Sequence, residues 1–552
     1  QPVGPRASVP ARGAACPNAR YAARRGRARA ARPSLDRLPM AVRRRGAVQS
    51  PVATVSDRNN HPDAYDVAIV GYGPTGATLA NLLAMSGLDV VVLEREDDIY
   101  PLPRAVHFDD EVMRVFQTVG IADELEPLLH VNAGMQFVDP DGTLLLDWPR
   151  PQEIGPNGWH ASYRFHQPST EALLRRAFEA QTNAAVHLGA EVVSVDENAD
   201  SAVLRYKDRH TDSLHNVSAS FVVGCDGARS VIRQAMGTDM TDLGFEERWL
   251  VIDVLLKHDM PELGDYTIQY CDAVRPMTYC RSPANRRRWE IALGKDDDDA
   301  TVSSPEQVWA TVARWIGPDD AELERTAVYT FRSAVAEQWR RGRLLIAGDA
   351  AHLTPPFMGQ GLCAGIRDAV NLAWKLVLQI QGAPSNELLD TYESERKPHV
   401  GAYIETAMRL GALINSVGSD AAQEQVGSAS GDEPGQMKSI APRLGPGLHF
   451  GDAVTIGRLF PQPTLAGGRR FDDICGYRPA LIARGAMLSA LRQTRAGDYL
   501  IDANSDEALL ECLDALQADA VLVRPDRYVL GTATTPVELD KLLINGAEIL
   551  QL

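Results

Sequence analysis

The sequence predicts an α/β protein: a Rossmann-like dinucleotide-binding domain, an inserted antiparallel sheet and a separate C-terminal domain. Three observations carry this. Residues 66–95 run strand, glycine turn, helix, strand and acid, in that order. Two later apolar strands, 221–224 and 343–347, end in Cys225-Asp226-Gly227 and Gly348-Asp349, and each leads toward a helix. Between them, residues 246–335 carry alternating and aromatic segments of the kind that form half-buried strands.

Val67 to Val70 is a short β-branched run suited to a buried parallel strand. Gly71, Gly73 and Gly76 then spell G-x-G-x-x-G, which allows a tight turn, close approach to a pyrophosphate and close helix packing. A helix is expected over 75–86, stopped by Gly87, and a second strand over 89–93. Glu94 ends that strand, 18 residues after Gly76, where a carboxylate can accept both hydroxyls of an adenosine ribose. The stretch by itself does not choose between FAD and NAD.

The composition excludes several classes. A net charge of −17 argues against a nucleic-acid partner. Apolar runs stop well short of the roughly 18 residues of a membrane span. Seven scattered cysteines without a C-x-x-C pair fit a reducing cytoplasm, and twelve histidines without ligand spacing predict no metal.

Residues 1–60 differ from the rest. The first fifty contain twelve arginines and one acid, Asp36, so they carry +11 and the remainder −28. Without hydrophobic periodicity, a disordered basic arm is expected. The first residue is Gln1, so a mis-assigned start near Met40 is favoured over a transit peptide. Arg104 follows the second strand and can reach back to a pyrophosphate as a bidentate donor. His107 is either packed or placed beside the substrate. A hairpin is expected over 134–148, a helix from Ser169, and strands at 186–188, 191–195 and 202–206. Asp226 suits a helix-entry turn or a ribose contact. Segments 249–256, 266–270, 276–280 and 288–293 give an antiparallel sheet that can roof a pocket. After Gly348-Asp349 come Pro356, Gly359 and Gly361 and a helix over 362–380, whose N-terminus suits partial negative charge. Residues 416–446 read as a linker. The tail, 447–552, ends α-β-β-α like half of a thioredoxin-like domain, without its C-x-x-C.

Taken together, G-Y-G-P-T-G at 71–76 with Glu94, C-D-G-A-R-S at 225–230 and A-G-D-A-A-H-L-T-P-P-F-M-G-Q-G at 347–361 resemble the class A flavoprotein aromatic hydroxylases, with wording most like 3-(3-hydroxyphenyl)propionate hydroxylases. The resemblance runs from about residue 64 to the C-terminus. It implies FAD as cofactor, NADH or NADPH as co-substrate without a nicotinamide domain of its own, and a small phenolic acid and O2 as substrates. Its implied cofactor set is Gly71, Tyr72, Gly73, Pro74, Thr75, Gly76, Glu94, Arg95, Arg104, Gln167, Asp226, Gly227, Gly348, Asp349, Pro356, Gly359 and Gly361, with Gln167 touching the flavin and Asp226 and Asp349 flanking the FAD chain. His107, Tyr279 and Arg281 are the substrate-side candidates. The implied layout is a flavin domain over 61–415, with core pieces at 64–130, 160–245 and 335–415. The sheet pieces fall at 131–160 and 246–334. A cytoplasmic enzyme follows, its oligomeric state open. The rivals are another flavoenzyme of this fold, such as an epoxidase or reductase, and a non-catalytic flavin-binding redox sensor.

Overall fold

The computed structural model describes residues 64–272, 274–382, 385–416, 439–451, 455–491 and 499–550. The expected basic arm and most of the expected linker lie outside the described residues.

The first sheet is built on four adjacent parallel strands, Leu344–Ile346, Leu214–Gly224, Ala64–Val70 and Val90–Leu93, with Ala184–His187 parallel at the far side. Ala64–Val70 lies at its centre, and Val67 to Ile69 are fully buried, as a strand covered on both faces requires. Helix Pro74–Met85 covers one face and packs on the long helix Gly361–Gln381. A meander, Ala190–Glu197 and Ala202–Asp208, extends Leu214–Gly224 antiparallel. A 31-residue helix, Asn386–Ser416, has no counterpart among the expected elements; Pro398 inside it interrupts the helical signal.

The second sheet has eight strands, ordered His352–Leu353, Ala321–Ala336, Met240–Leu256, Arg286–Leu293, Met277–Arg281, Thr267–Tyr270, Gly134–Val138 and Leu144–Pro149. It is not wholly antiparallel as expected: Gly134–Val138 joins Thr267–Tyr270 in parallel, because the hairpin arrives from the other domain. Its two faces differ. Leu250, Ile252, Tyr279, Trp289 and Ile291 point outward into a core closed by helix Pro305–Val312. The alternate residues point inward, and Trp249, Phe137 and Trp148 meet Phe357, Met358 and Tyr403 of the first domain.

A three-stranded sheet, His107–Asp109, Ser162–Arg164 and His130–Val131, stands between these bodies. The C-terminal domain runs strand Ala480–Ala483, helix Gly485–Leu491, strand Leu500–Asp502, helix Glu507–Ala515, strands Ala520–Val523 and Val529–Ala533, and helix Pro536–Leu550. Its strands lie in the order second, first, third, fourth, and one face packs on Trp374 and Leu388. Among the described residues, no helix is long and apolar enough to cross a membrane.

Candidate active site

Parallel register gathers the three motifs on one edge of the first sheet. Val70 pairs with Leu93 and with Gly224, and Gly224 pairs with Ile346. Gly71, Glu94, Asp226 and Gly348-Asp349 therefore follow the carboxyl ends of adjacent strands, where open α/β sheets bind ligands.

The three glycines of the first turn do different work. A Cβ on Gly76 would lie 2.1 Å from the Gly71 carbonyl oxygen, and one on Gly71 2.4 Å from that of Cys225. Nothing lies within 4 Å of a Cβ on Gly73. The outer glycines are thus closed against protein, while the middle one opens on free space, as a pyrophosphate cradle needs. Helix Pro74–Met85 has no side-chain cap, and neither has helix Gly361–Gln381 at its start. Elsewhere, Asp109, Ser304 and Asp506 each cap a helix, and at this edge Ser230 caps the short helix Val231–Met236. The uncapped N–H groups are ready donors for phosphate oxygens and for the electron-rich edge of a flavin.

Glu94 accepts from the backbone N–H of Tyr72 at 2.7 Å and of Glu96 at 2.9 Å, so it fixes the turn it would share with a ribose. Asp349 has no side-chain partner among the described residues. The residue is exposed, yet the protein around its carboxyl raises it above the usual range against the pull of His352 and Arg104. Asp226 accepts from Val231 N at 2.7 Å through Oδ2, while its buried Oδ1 has no partner. Gly227 lies in the left-handed turn beside it. Thr75 fits between Gly348 and Gly365, whose Cβ atoms would come 2.8 and 2.3 Å from its Oγ1. Pro356 opens the short helical turn Pro356–Met358, which leads through Gly359 to the long helix.

Other expected contacts are redirected. The Tyr72 ring is fully buried against Phe178 and Arg175, so it faces helix Gln167–Glu179. Arg95 is exposed and paired with Glu96. The Gln167 amide is already used: its oxygen accepts from Arg104 N at 3.0 Å and Ala105 N at 2.7 Å, and its nitrogen donates to Glu171 at 2.7 Å. Gln167 therefore shapes the loop that carries Arg104. The Arg104 side chain is exposed over the Tyr100 ring, with no ion pair among the described residues.

The substrate-side candidates are corrected more strongly. Tyr279 points into the outer core against Trp289, because odd positions of Met277–Arg281 face away from the first domain. Arg281 shares that side and pairs with Asp265 at 3.2 Å. His107 does stand at the site, but its ring is spent. Gly359 O can only accept, so Nδ1 donates to it at 3.3 Å and Nε2 accepts from the Ser162 hydroxyl at 2.7 Å. Burial, with Arg164 and Arg150 nearby, pushes its pKa down to about 3, so the ring is neutral.

Three residues that the sequence reading missed organise the site. Buried Asp368 accepts from Gly348 N at 3.0 Å, His352 Nε2 at 2.6 Å and Arg396 Nε at 2.9 Å, and so sets the Gly-Asp turn. Arg288 pairs with Asp253 at 2.7 Å and donates to Arg104 O at 3.0 Å, tying the inserted sheet to the loop. Arg164 is buried between the two bodies without a carboxylate within ion-pair distance among the described residues. The signals for these three are tertiary, not local. A half-open space of about 30 Å³, lined by Glu111, Arg367, Arg396 and Tyr528, lies at the C-terminal seam. It has room for water but not for an aromatic ring.

A family profile described as FAD binding domain matches residues 64–407. The chain is 38% identical over 501 residues to a probable NADH-specific resorcinol 4-hydroxylase of Rhodococcus jostii, spanning 86% of this chain and 93% of that one. It is 33% identical to a 3-(3-hydroxy-phenyl)propionate/3-hydroxycinnamic acid hydroxylase of Burkholderia cenocepacia, spanning 85% and 94%. Among solved structures, the flavin-dependent monooxygenase PieE in complex with FAD and substrate superposes with a TM-score of 0.76 at 21% identity, covering 89% of this chain and 99% of that one. The cofactor is FAD, with NAD(P)H as reductant and a small aromatic molecule and O2 as substrates. The chain belongs to the FAD-dependent aromatic hydroxylases.

Proposed function

We propose that the chain hydroxylates a phenolic acid, of the 3-(3-hydroxyphenyl)propionate or 3-hydroxycinnamate kind, on the ring carbon beside the hydroxyl. The observation that carries this is the boundary between the flavin-side turn and the inserted sheet, where Trp249, Phe357 and Met358 pack together next to Gly359, and buried Arg164 and half-buried Arg150 act on His107. A substrate chamber placed at this boundary would suit a flat ring bearing an acidic group. Resorcinol is the second reading, favoured by the higher identity to the Rhodococcus protein.

Bound FAD supplies the hydride acceptor and the oxygen chemistry. The chain supplies position and field. Gly73 leaves room for the pyrophosphate, Glu94 and Asp349 would take hydroxyls of the ribose and the ribityl chain, and Arg104 would cover the phosphates. The uncapped N–H groups at Gly361 would stabilise negative charge on the ring edge. The apolar wall keeps water from the reacting atoms. His107 stays neutral and anchors Gly359, so it positions the loop and is not a base. The three substrate-side groups first expected thus reduce to one positioning residue. The C-terminal domain, whose cysteines 475 and 512 stand apart, has a structural role.

The test is a screen of phenolic acids and diphenols for stimulated NADH or NADPH oxidation with product identification. The reading expects stimulation above the substrate-free rate and a vicinal diol product. Stimulation by resorcinol alone would select the second reading, and no stimulation by any phenol would remove both.

A further inference from the structure

We infer that Arg164 is the group that binds the anionic oxygen of the aromatic substrate. The inference rests on the aromatic-hydroxylase reading and deepens it. Arg164 sits on the middle strand of the three-stranded sheet, directly opposite His107. Cross-strand neighbours project from the same face, and His107 reaches Gly359 of the flavin-side turn. Arg164 Nη2 reaches the Thr267 hydroxyl on the inner face of the inserted sheet. The guanidinium therefore lies between the flavin-side loop and the substrate sheet.

It is also the wrong group to find there unless something joins it. The residue is 6% exposed, and its Nε has no hydrogen-bond partner. The carboxylate that acts on it, Glu290, does so from beyond ion-pair distance and pairs instead with Arg288 at 3.5 Å. Arg150 adds to the excess; it stacks on Trp148 and has no ion pair among the described residues. Taking a cation out of water without a counter-ion costs folding energy. A planar fork with open donors is matched by a carboxylate or a phenolate.

The experiment uses FAD-loaded full chain and Arg164→Met, with dissociation constants read from the flavin absorbance. Three probes separate the sources of the anion: 3-(3-hydroxyphenyl)propionate, 3-phenylpropionate and resorcinol. If the carboxylate binds Arg164, the variant loses about 100-fold affinity for both acids and keeps resorcinol within about threefold. If the phenolate binds it, the variant loses affinity for the two phenols and keeps phenylpropionate. Equal affinity of parent and variant for all three overturns the assignment while leaving the hydroxylase reading intact. A parent that binds none of them, and is not reduced faster by them, overturns the substrate reading and the assignment with it. Because an unpaired cation is removed, the variant should melt no lower than the parent; a lower melting temperature with unchanged affinity would show a structural residue. Should Arg164→Met not fold, Arg164→Lys keeps the charge without the fork and should weaken the same probes about tenfold; unchanged constants would again overturn it.

Discussion

At the seam with the C-terminal domain, Arg114, Arg367, Arg396, Arg524 and Arg527 each meet a carboxylate within 3.0 Å. On the flavin side, among the described residues, Arg164 meets none within ion-pair distance, Asp349 has no side-chain partner and Asp226 Oδ1 is left over. The seam even carries a continuous chain: Asp368 to Arg396, Arg396 to His399, His399 to Tyr528 of the C-terminal domain, and Tyr528 to Glu111. Both regions bury charge. One spends its polar groups on itself and so holds two domains together. The other keeps some in hand, which costs stability and makes sense only with a ligand.

The largest expected effect is at the seam. Glu395 accepts from Arg524 at 2.8 Å, Lys375 at 2.8 Å and Leu448 N at 2.7 Å, all in the interior. Glu395→Gln should cost about 3–5 kcal/mol in a urea titration, because it leaves buried cations under-compensated. A loss below about 1 kcal/mol would mean that apolar packing around Trp374 holds the seam and that the contrast is overdrawn. The glycine turn repeats the contrast at small scale. Gly76→Ala drives its Cβ into a backbone carbonyl and should destabilise the chain by about 3 kcal/mol. Gly73→Ala meets no protein atom, so stability without FAD should stay within about 0.5 kcal/mol while bound FAD, read at the flavin absorbance, falls. Parent-like FAD content in Gly73→Ala would displace the pyrophosphate from that space.

Asp349→Ala comes next. It should lower FAD affinity roughly 10–100-fold, the worth of a hydrogen bond to a charged group, in a chain that is otherwise folded. Parent-like retention would separate the Gly-Asp turn from the cofactor. The smallest effect is one of pH. His107 has a folded pKa of about 3, against about 6.5 when unfolded. Between these values the unfolded chain binds a proton that the folded chain refuses, so stability falls as pH drops below about 6.5 and is level above it. His399, held low by burial and by Arg396 and Arg367, acts in the same direction. Unfolding of His107→Gln between pH 5 and 8 should show a shallower acid slope than the parent, by at most about 1.4 kcal/mol per pH unit. An unchanged slope would contradict the neutral, buried assignment.

The cradle was legible in the sequence because local backbone chemistry writes it: three glycines, an acid at a strand end and a Gly-Asp turn need no knowledge of distant residues. Gln167 was legible as a residue of the site but not in its role, since its amide serves a loop 62 residues away. The substrate side was much less legible. Met277–Arg281 was foreseen as a strand within a residue, yet alternation does not say which face looks inward, and choosing Tyr279 and Arg281 took the wrong phase. Thr278 and Cys280 have the inward side. Arg164 and Asp368 carry no local mark at all. Their meaning lies in what surrounds them: for Asp368 a turn, a histidine and an arginine, for Arg164 the lack of an acid within ion-pair distance among the described residues.

The most direct test of the central claim follows the oxygen. FAD-loaded protein, NADH and a phenolic acid that stimulates its oxidation are incubated under ¹⁸O2, and the aromatic product is weighed by mass spectrometry. Incorporation of one labelled atom beside the original hydroxyl, with product formed in step with NADH consumed, is the predicted result. NADH consumption that yields only hydrogen peroxide with every phenol tried, or an aromatic product without label, would contradict it.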